Sequence, residues 1–91
     1  MYTLHITLQA KKDIALLKKN GGKSVTEKIE KLLIELMKHP KSGTGKVEQL
    51  KGNRQGQWSR QIDKKNRLIY TIDDEVVVVE VVSARGHYGD K

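Results

Sequence analysis

Cysteine is absent from this 91-residue chain, which excludes disulfides, a thiol nucleophile and every cysteine-ligated zinc site. Long apolar runs are also missing. Val76 to Val79 is typical of those present, and a bilayer span needs roughly 20 residues. The opening Met1-Tyr2-Thr3-Leu4-His5 has neither the charged start nor the apolar stretch of a signal peptide, so a cytoplasmic location is expected. No repeat, low-complexity tract or linker divides residues 1–91, and the length leaves room for one domain, with 89–91 as a frayed tail. Apolar residues form 36% of the chain, enough for a single thin core but not for a deep internal cavity.

Acidic residues are outnumbered. Eighteen Lys and Arg against eleven Asp and Glu give a formal charge of +7, a balance that favours a polyanionic partner, either nucleic acid or a strongly acidic protein. The excess is concentrated: residues 38–67 carry nine basic side chains against Glu48 and Asp63, while residues 68–91 are net acidic.

The patterning predicts an α+β domain in the order β-α-α-β-β-β. Tyr2, Leu4, Ile6 and Leu8 alternate with polar residues, the period of a strand with one buried face. A short helix from Ala10 is expected to stop at Asn20-Gly21-Gly22. Ser24 and Glu27 have capping-box spacing for a second helix, whose stripe is Ile29, Leu32, Leu33, Leu36 and Met37. His39-Pro40 ends it. Strands are expected at Val47 to Lys51, Gln57 to Ile62, Arg67 to Ile72 and Glu75 to Ala84, joined by hairpin turns. The last, rich in valine, must be central and needs apolar cover on both faces. Two antiparallel helices would then pack on one face of a twisted, mainly antiparallel sheet, leaving the other face concave and accessible.

Onto that face or its rim the basic middle segment would project Lys51, Arg54, Arg60 and Arg67, with Glu48 among them and His87-Tyr88 returning past the last strand. Metal-free RNA cleavage needs a base for the 2′-OH, an acid for the departing 5′ oxygen and cations for the phosphorane oxygens. Glu48, His87 and the arginines could supply this set, although Glu48 could equally be an exposed ion-pair partner of Lys46 or Lys51. Trp58 and Tyr70 read as core residues. His5 and His39 have no convergent partner in the pattern, so no metal site is expected. Ser42-Gly43-Thr44-Gly45-Lys46 lacks full P-loop spacing, and the loop from Lys41 to Lys46 reads as flexible, basic and suited to RNA backbone.

Four blocks in order, Lys46-Val47-Glu48-Gln49-Leu50-Lys51, Gly56-Gln57-Trp58-Ser59-Arg60, Asn66-Arg67-Leu68-Ile69-Tyr70 and His87-Tyr88, resemble the YoeB/Txe branch of the RelE/ParE toxin superfamily, the toxins of type II toxin–antitoxin pairs. The resemblance spans nearly the whole chain. It implies the RelE-like microbial ribonuclease fold and an endoribonuclease that needs no cofactor or metal and cuts messenger RNA in the ribosomal decoding site, halting translation. It further implies an acidic antitoxin of the YefM/Axe kind, the 70S ribosome and mRNA as partners, and operator DNA bound through the antitoxin complex. By the same resemblance Glu48 is the general base, His87 the general acid, Arg67 the phosphate and transition-state clamp, and Tyr88 an orienting group. Lys46, Lys51, Arg54, Arg60 and Arg85 would contact RNA phosphates. One departure is visible. Where the family has a second arginine after Trp-Ser, this chain has Gln61, which can donate hydrogen bonds but adds no charge. Arg60 sits on the opposite strand face from Gln61 by alternation. Two rivals follow: a module that binds ribosome or antitoxin without cutting, and a basic partner protein that only docks an acidic helix.

Overall fold

The computed structural model of the chain describes residues 1–76 and 78–84. Its elements are β1 (Thr3–Ile6), α1 (Leu8–Lys38), β2 (Glu48–Gln49), β3 (Trp58–Gln61), β4 (Arg67–Asp73) and β5 (Val78–Ser83), with a single 3₁₀ turn at Gly52–Arg54. The expected α+β architecture is present, with a helical layer on one face of a five-stranded sheet.

β1 is shorter than its alternation implied. Thr7 has extended backbone, and its hydroxyl accepts the Ala10 N–H at 3.1 Å, so it caps the helix. Leu8 is therefore a first-turn helical residue, 70% exposed, and not the last inward residue of a strand.

Two helices were expected, and the structure has one helical run broken at Gly22 (φ 72°, ψ −159°), a conformation that glycine adopts without steric cost. The arms, residues 8–21 and 23–38, fold back on each other. Lys18 Nζ lies 3.5 Å from Glu30 Oε2, twelve positions away, whereas a straight helix would separate those positions by about 18 Å. The capping box is not used, because the second arm already runs through Ser24. The Thr26 hydroxyl instead donates to the Gly22 carbonyl at 2.9 Å. At the far end the His39 N–H donates to Glu35 O, and Pro40 is buried.

The sheet order is β1-β5-β4-β3-β2, with β1 parallel to β5 and every other pair antiparallel. β5 is central, as its valine content requires. Val79 and Val81 are fully buried against Ile14, Leu17, Ile29, Leu32 and Leu36 of α1, together with Leu68 and Tyr70. Each such side chain contributes about 1.5–3 kcal/mol relative to exposure. Apolar cover does not extend over both faces of β5, since Glu80 faces away from the helix and pairs with His5 at 3.0 Å.

The register assigns the faces. Trp58 opposes Tyr70 and Arg60 opposes Leu68, all toward the helix. Glu48, Ser59 and Ile69 are in line across β2, β3 and β4, and Gln61 opposes Arg67. Residues directly opposed in a ladder share a face, so these five lie on the side that α1 leaves uncovered. The end of β5 is fixed by Asp13, a buried carboxylate that accepts the Ala84 N–H at 3.1 Å and the Gln9 amide at 2.9 Å.

Candidate active site

On the uncovered face, Arg67 Nη1 donates to Glu48 Oε1 at 3.3 Å. The two residues belong to β4 and β2, which flank β3, so the pair arches over the middle strand. The arginine end is 16% exposed and the carboxylate end 47%. Glu48 thus pairs with Arg67 and not with Lys46 or Lys51. Lys46 has a left-handed φ of 50° two residues before β2, and Lys51 lies two residues after it as an exposed residue. Arg54, at the end of the 3₁₀ turn, donates to the Gln57 side chain at 3.3 Å.

Arg60 is not at this site. It is fully buried on the helix side, where its guanidinium donates to Glu35 Oε1 (2.8 Å) and to the carbonyls of His39 (2.7 Å), Ser42 (2.6 Å) and Thr44 (3.4 Å). Its Nε donates to the Tyr70 hydroxyl, which in turn donates to Pro40 O. It therefore has no donor left for RNA. The expectation that Arg60 adds positive potential there is corrected by strand alternation: between Trp58 and Ile62, position 60 points inward.

The same contacts correct the reading of the loop from Lys41 to Lys46 as flexible. Glu35 also accepts from the Thr44 N–H (2.8 Å) and hydroxyl (2.9 Å), and the Gln61 N–H donates to Gly45 O. Gly43 (φ 124°) completes the seal, because a Cβ there would lie 2.5 Å from Glu35 Oε1. The chain is thereby fixed as it turns through Lys46 into β2 and Glu48.

Burial raises the Glu35 pKa, but hydrogen bonds from Thr44 and the Arg60 guanidinium outweigh it, and the net value lies below 4.5. A carboxyl depressed on folding contributes stability that is complete above its unfolded value and is lost as pH falls through the lower folded value. The gap in thermal midpoint between the parent and Glu35→Gln should accordingly be constant above about pH 5.5 and narrow as pH falls below about 4.5. Thermal melts at stepped pH check this, and a gap independent of pH contradicts it.

Arg85, His87 and Tyr88 lie outside the described residues, so of the expected catalytic set the structure brings together Glu48 and Arg67. The uncovered face is also less accessible than expected. Ser59 is fully buried, and Ile69 and Leu50 are 2% and 4% exposed, although the helix does not pack on them. Further along the sheet, a concavity of about 610 Å³ is lined by His5, Thr71, Asp73, Asp74, Glu75 and Glu80. Its acidic lining repels a phosphate backbone, so a polyanion is directed toward the Arg67 end. Glu80 is the partner of His5 that the sequence did not reveal, and among the described residues no group of three or more His, Asp or Glu is arranged to hold a metal ion. Among them, too, no helix is long and apolar enough to cross a membrane.

A family profile described as YoeB-like toxin of bacterial type II toxin–antitoxin system matches residues 6–88, a span that includes Glu48, Arg67, His87 and Tyr88. Toxin YoeB of Streptomyces coelicolor is 43% identical over 69 residues, which is 75% of this chain and 79% of that toxin. The solved YoeB/ParE toxin from Agrobacterium tumefaciens superposes with a TM-score of 0.84 at 32% identity, covering 94% of this chain and 99% of that one. A chain of the heterotetrameric YoeB–YefM toxin–antitoxin complex from Staphylococcus aureus gives 0.78 at 32% identity, with 97% and 99% covered.

Proposed function

Because the chain belongs to the YoeB-like toxins of bacterial type II toxin–antitoxin systems, we propose that it is a ribosome-dependent endoribonuclease that cuts messenger RNA by general acid–base chemistry. In this reading Glu48 takes the proton of a 2′-OH, and the freed oxygen attacks the adjacent phosphorus. Arg67 holds the phosphoryl oxygens as negative charge builds on them. His87 gives a proton to the 5′ oxygen as its bond to phosphorus breaks, leaving a 2′,3′-cyclic phosphate and a 5′-OH. Tyr88 orients the imidazole or the substrate, and Lys46, Lys51, Arg54 and Arg85 contact flanking phosphates. A positioned base and acid each supply about 10²–10⁴-fold, and charge stabilisation supplies more. The scheme therefore requires no metal or cofactor.

The observation that carries the reading is the Glu48–Arg67 pair, a carboxylate and a guanidinium 3.3 Å apart on the helix-free face. That spacing supports their acting together on one nucleotide linkage, Glu48 as base and Arg67 as phosphate clamp. The +7 charge and the S. aureus complex support an acidic antitoxin partner; in this reading the antitoxin covers the basic surface, and the pair represses its own operon in the cytoplasm. Added to 70S ribosomes with a defined codon in the decoding site, the protein should cut the message within that codon and leave a 2′,3′-cyclic end. Gln61 favours a second reading, in which the protein binds the ribosome in a salt-dependent way but leaves the message intact. Primer extension on the recovered message separates the two.

A further inference from the structure

Ser59 has no role in the scheme above, yet it occupies an unusual place in the structure. It is fully buried, and its hydroxyl has no hydrogen-bond partner among the described residues. Buried polar groups are almost always paired, and one left unpaired destabilises the protein that contains it. A serine in the core could be replaced by alanine without that cost. Ser59 is not in the helix-facing core, however. It stands in β3 directly opposite Glu48 on one side and Ile69 on the other, on the uncovered face. The Glu48–Arg67 pair passes over the strand that carries it. Ser59 therefore belongs to the strand that the pair crosses, beside the two groups that in the proposed scheme separate when RNA arrives.

We infer that Ser59 is a positioning residue for Glu48, its hydroxyl donating to the carboxylate once a substrate phosphate has drawn Arg67 away. The inference rests on Glu48 being the base. In the resting site Glu48 is held by Arg67, a cation that the phosphate will claim. A carboxylate that gives up this partner, the one charged group paired with it among the described residues, loses that hold on its orientation beside a polyanion. A neutral donor from the facing strand replaces that hold without neutralising the charge, and a hydrogen bond to the ionised form favours that form. One carboxylate oxygen is then fixed, and the other is turned toward the 2′-OH. On this inference the hydroxyl is unpaired among the described residues because its partner becomes available in the bound state, and a catalytic role is one of the recognised reasons for a buried polar group to lack a partner.

The test combines single-turnover cleavage on programmed ribosomes with ribosome binding and thermal melting, for the parent, Glu48→Gln, Ser59→Ala and Ser59→Thr. Losing a hydrogen bond to a charged group predicts cleavage about 10–100-fold slower in Ser59→Ala. Ribosome affinity should be unchanged, with a thermal midpoint at or above that of the parent. Where Ser59→Thr folds, its retained hydroxyl should bring the rate to within about 3-fold of the parent. A lower midpoint in Ser59→Ala would show that the hydroxyl supports the fold, and a parental cleavage rate would show that it supports nothing in the reaction. Either result overturns the inference while Glu48→Gln remains inactive. If Glu48→Gln cuts as fast as the parent, the assignment of the base itself falls, and this inference with it.

Discussion

Arg60→Ala should unfold roughly 12–40 °C below the parent, the largest single-residue loss of stability expected in the molecule. Removing one partner of a buried ion pair costs about 3–5 kcal/mol, because the remaining charge is left uncompensated, and in a domain of this size each kcal/mol shifts the midpoint by about 4–8 °C. Arg60 is completely buried, and Glu35 is 15% exposed at its side chain, so solvent screens the pair little. The arginine also supplies the carbonyls of His39, Ser42 and Thr44. That distinguishes it from a simple ion pair, for which a hydrophobic double replacement is often neutral. Glu35→Leu combined with Arg60→Met should recover part of the loss but not all of it, since three backbone acceptors still lack a donor. Arg60→Lys should fail as well, as an ammonium cannot reproduce the planar fork that reaches both strand and loop. Calorimetry on the four proteins decides the matter. A drop below about 5 °C in Arg60→Ala would mean that the loop does not depend on the guanidinium.

The contrast between Arg60 and Arg67 shows what could be read from the letters. Both fall in the basic middle third, and charge counting treats them alike. Alternation separates them, because Arg60 lies between Trp58 and Ile62, whose inward direction was legible, and an arginine between two core residues must have a buried anion. Nothing in the pattern marked Glu35 as that anion. It sits on the flank of an amphipathic stripe where glutamates usually face water, and only the folded-back arms bring it over β3. The stripe itself, the valine-rich central strand and the stop at His39-Pro40 were all readable, since each follows from local periodicity or a local steric rule. The single break at Gly22 was readable as a stop but not as a hinge within one helical run, and Thr7 was missed because the strand alternation continues through it to Leu8.

The candidate site was legible in a different way. Glu48 and Arg67 were found through ordered sequence blocks, and their meeting required β2 and β4 to flank β3, which hairpin turns at Gly52-Asn53 and residues 63–66 imply. Ser59 could not have been found. A serine in a strand carries no signature, and the role inferred for it depends on two facts visible only in three dimensions: complete burial on the face that α1 does not cover and a hydroxyl without a partner among the described residues.

Glu48→Gln should slow cleavage of ribosome-bound message by about 10²–10⁴-fold, the share ordinarily supplied by a positioned general base. The amide keeps the shape of the carboxylate but cannot accept the 2′-OH proton near neutral pH. Folding should be nearly unaffected. Glu48 is 47% exposed and its bond to Arg67 is 3.3 Å long, and pairs of that kind contribute about 0–1 kcal/mol. Binding should move in the opposite direction to cleavage. One negative charge beside the RNA has gone, so ribosome affinity should hold or rise. Arg67→Ala makes the complementary case, because it removes the clamp along with the cation and should weaken binding, reduce the salt dependence and slow cleavage together. This divergence is what identifies roles. A base is recognised by lost turnover with retained binding, and a clamp by loss of both. Single-turnover rates and equilibrium binding at two salt concentrations, on variants with parental melting curves, measure it directly. If Glu48→Gln cleaves within about 3-fold of the parent, the proton must leave by another route, and the Glu48–Arg67 pair is a structural tie across β3 rather than the centre of a nuclease.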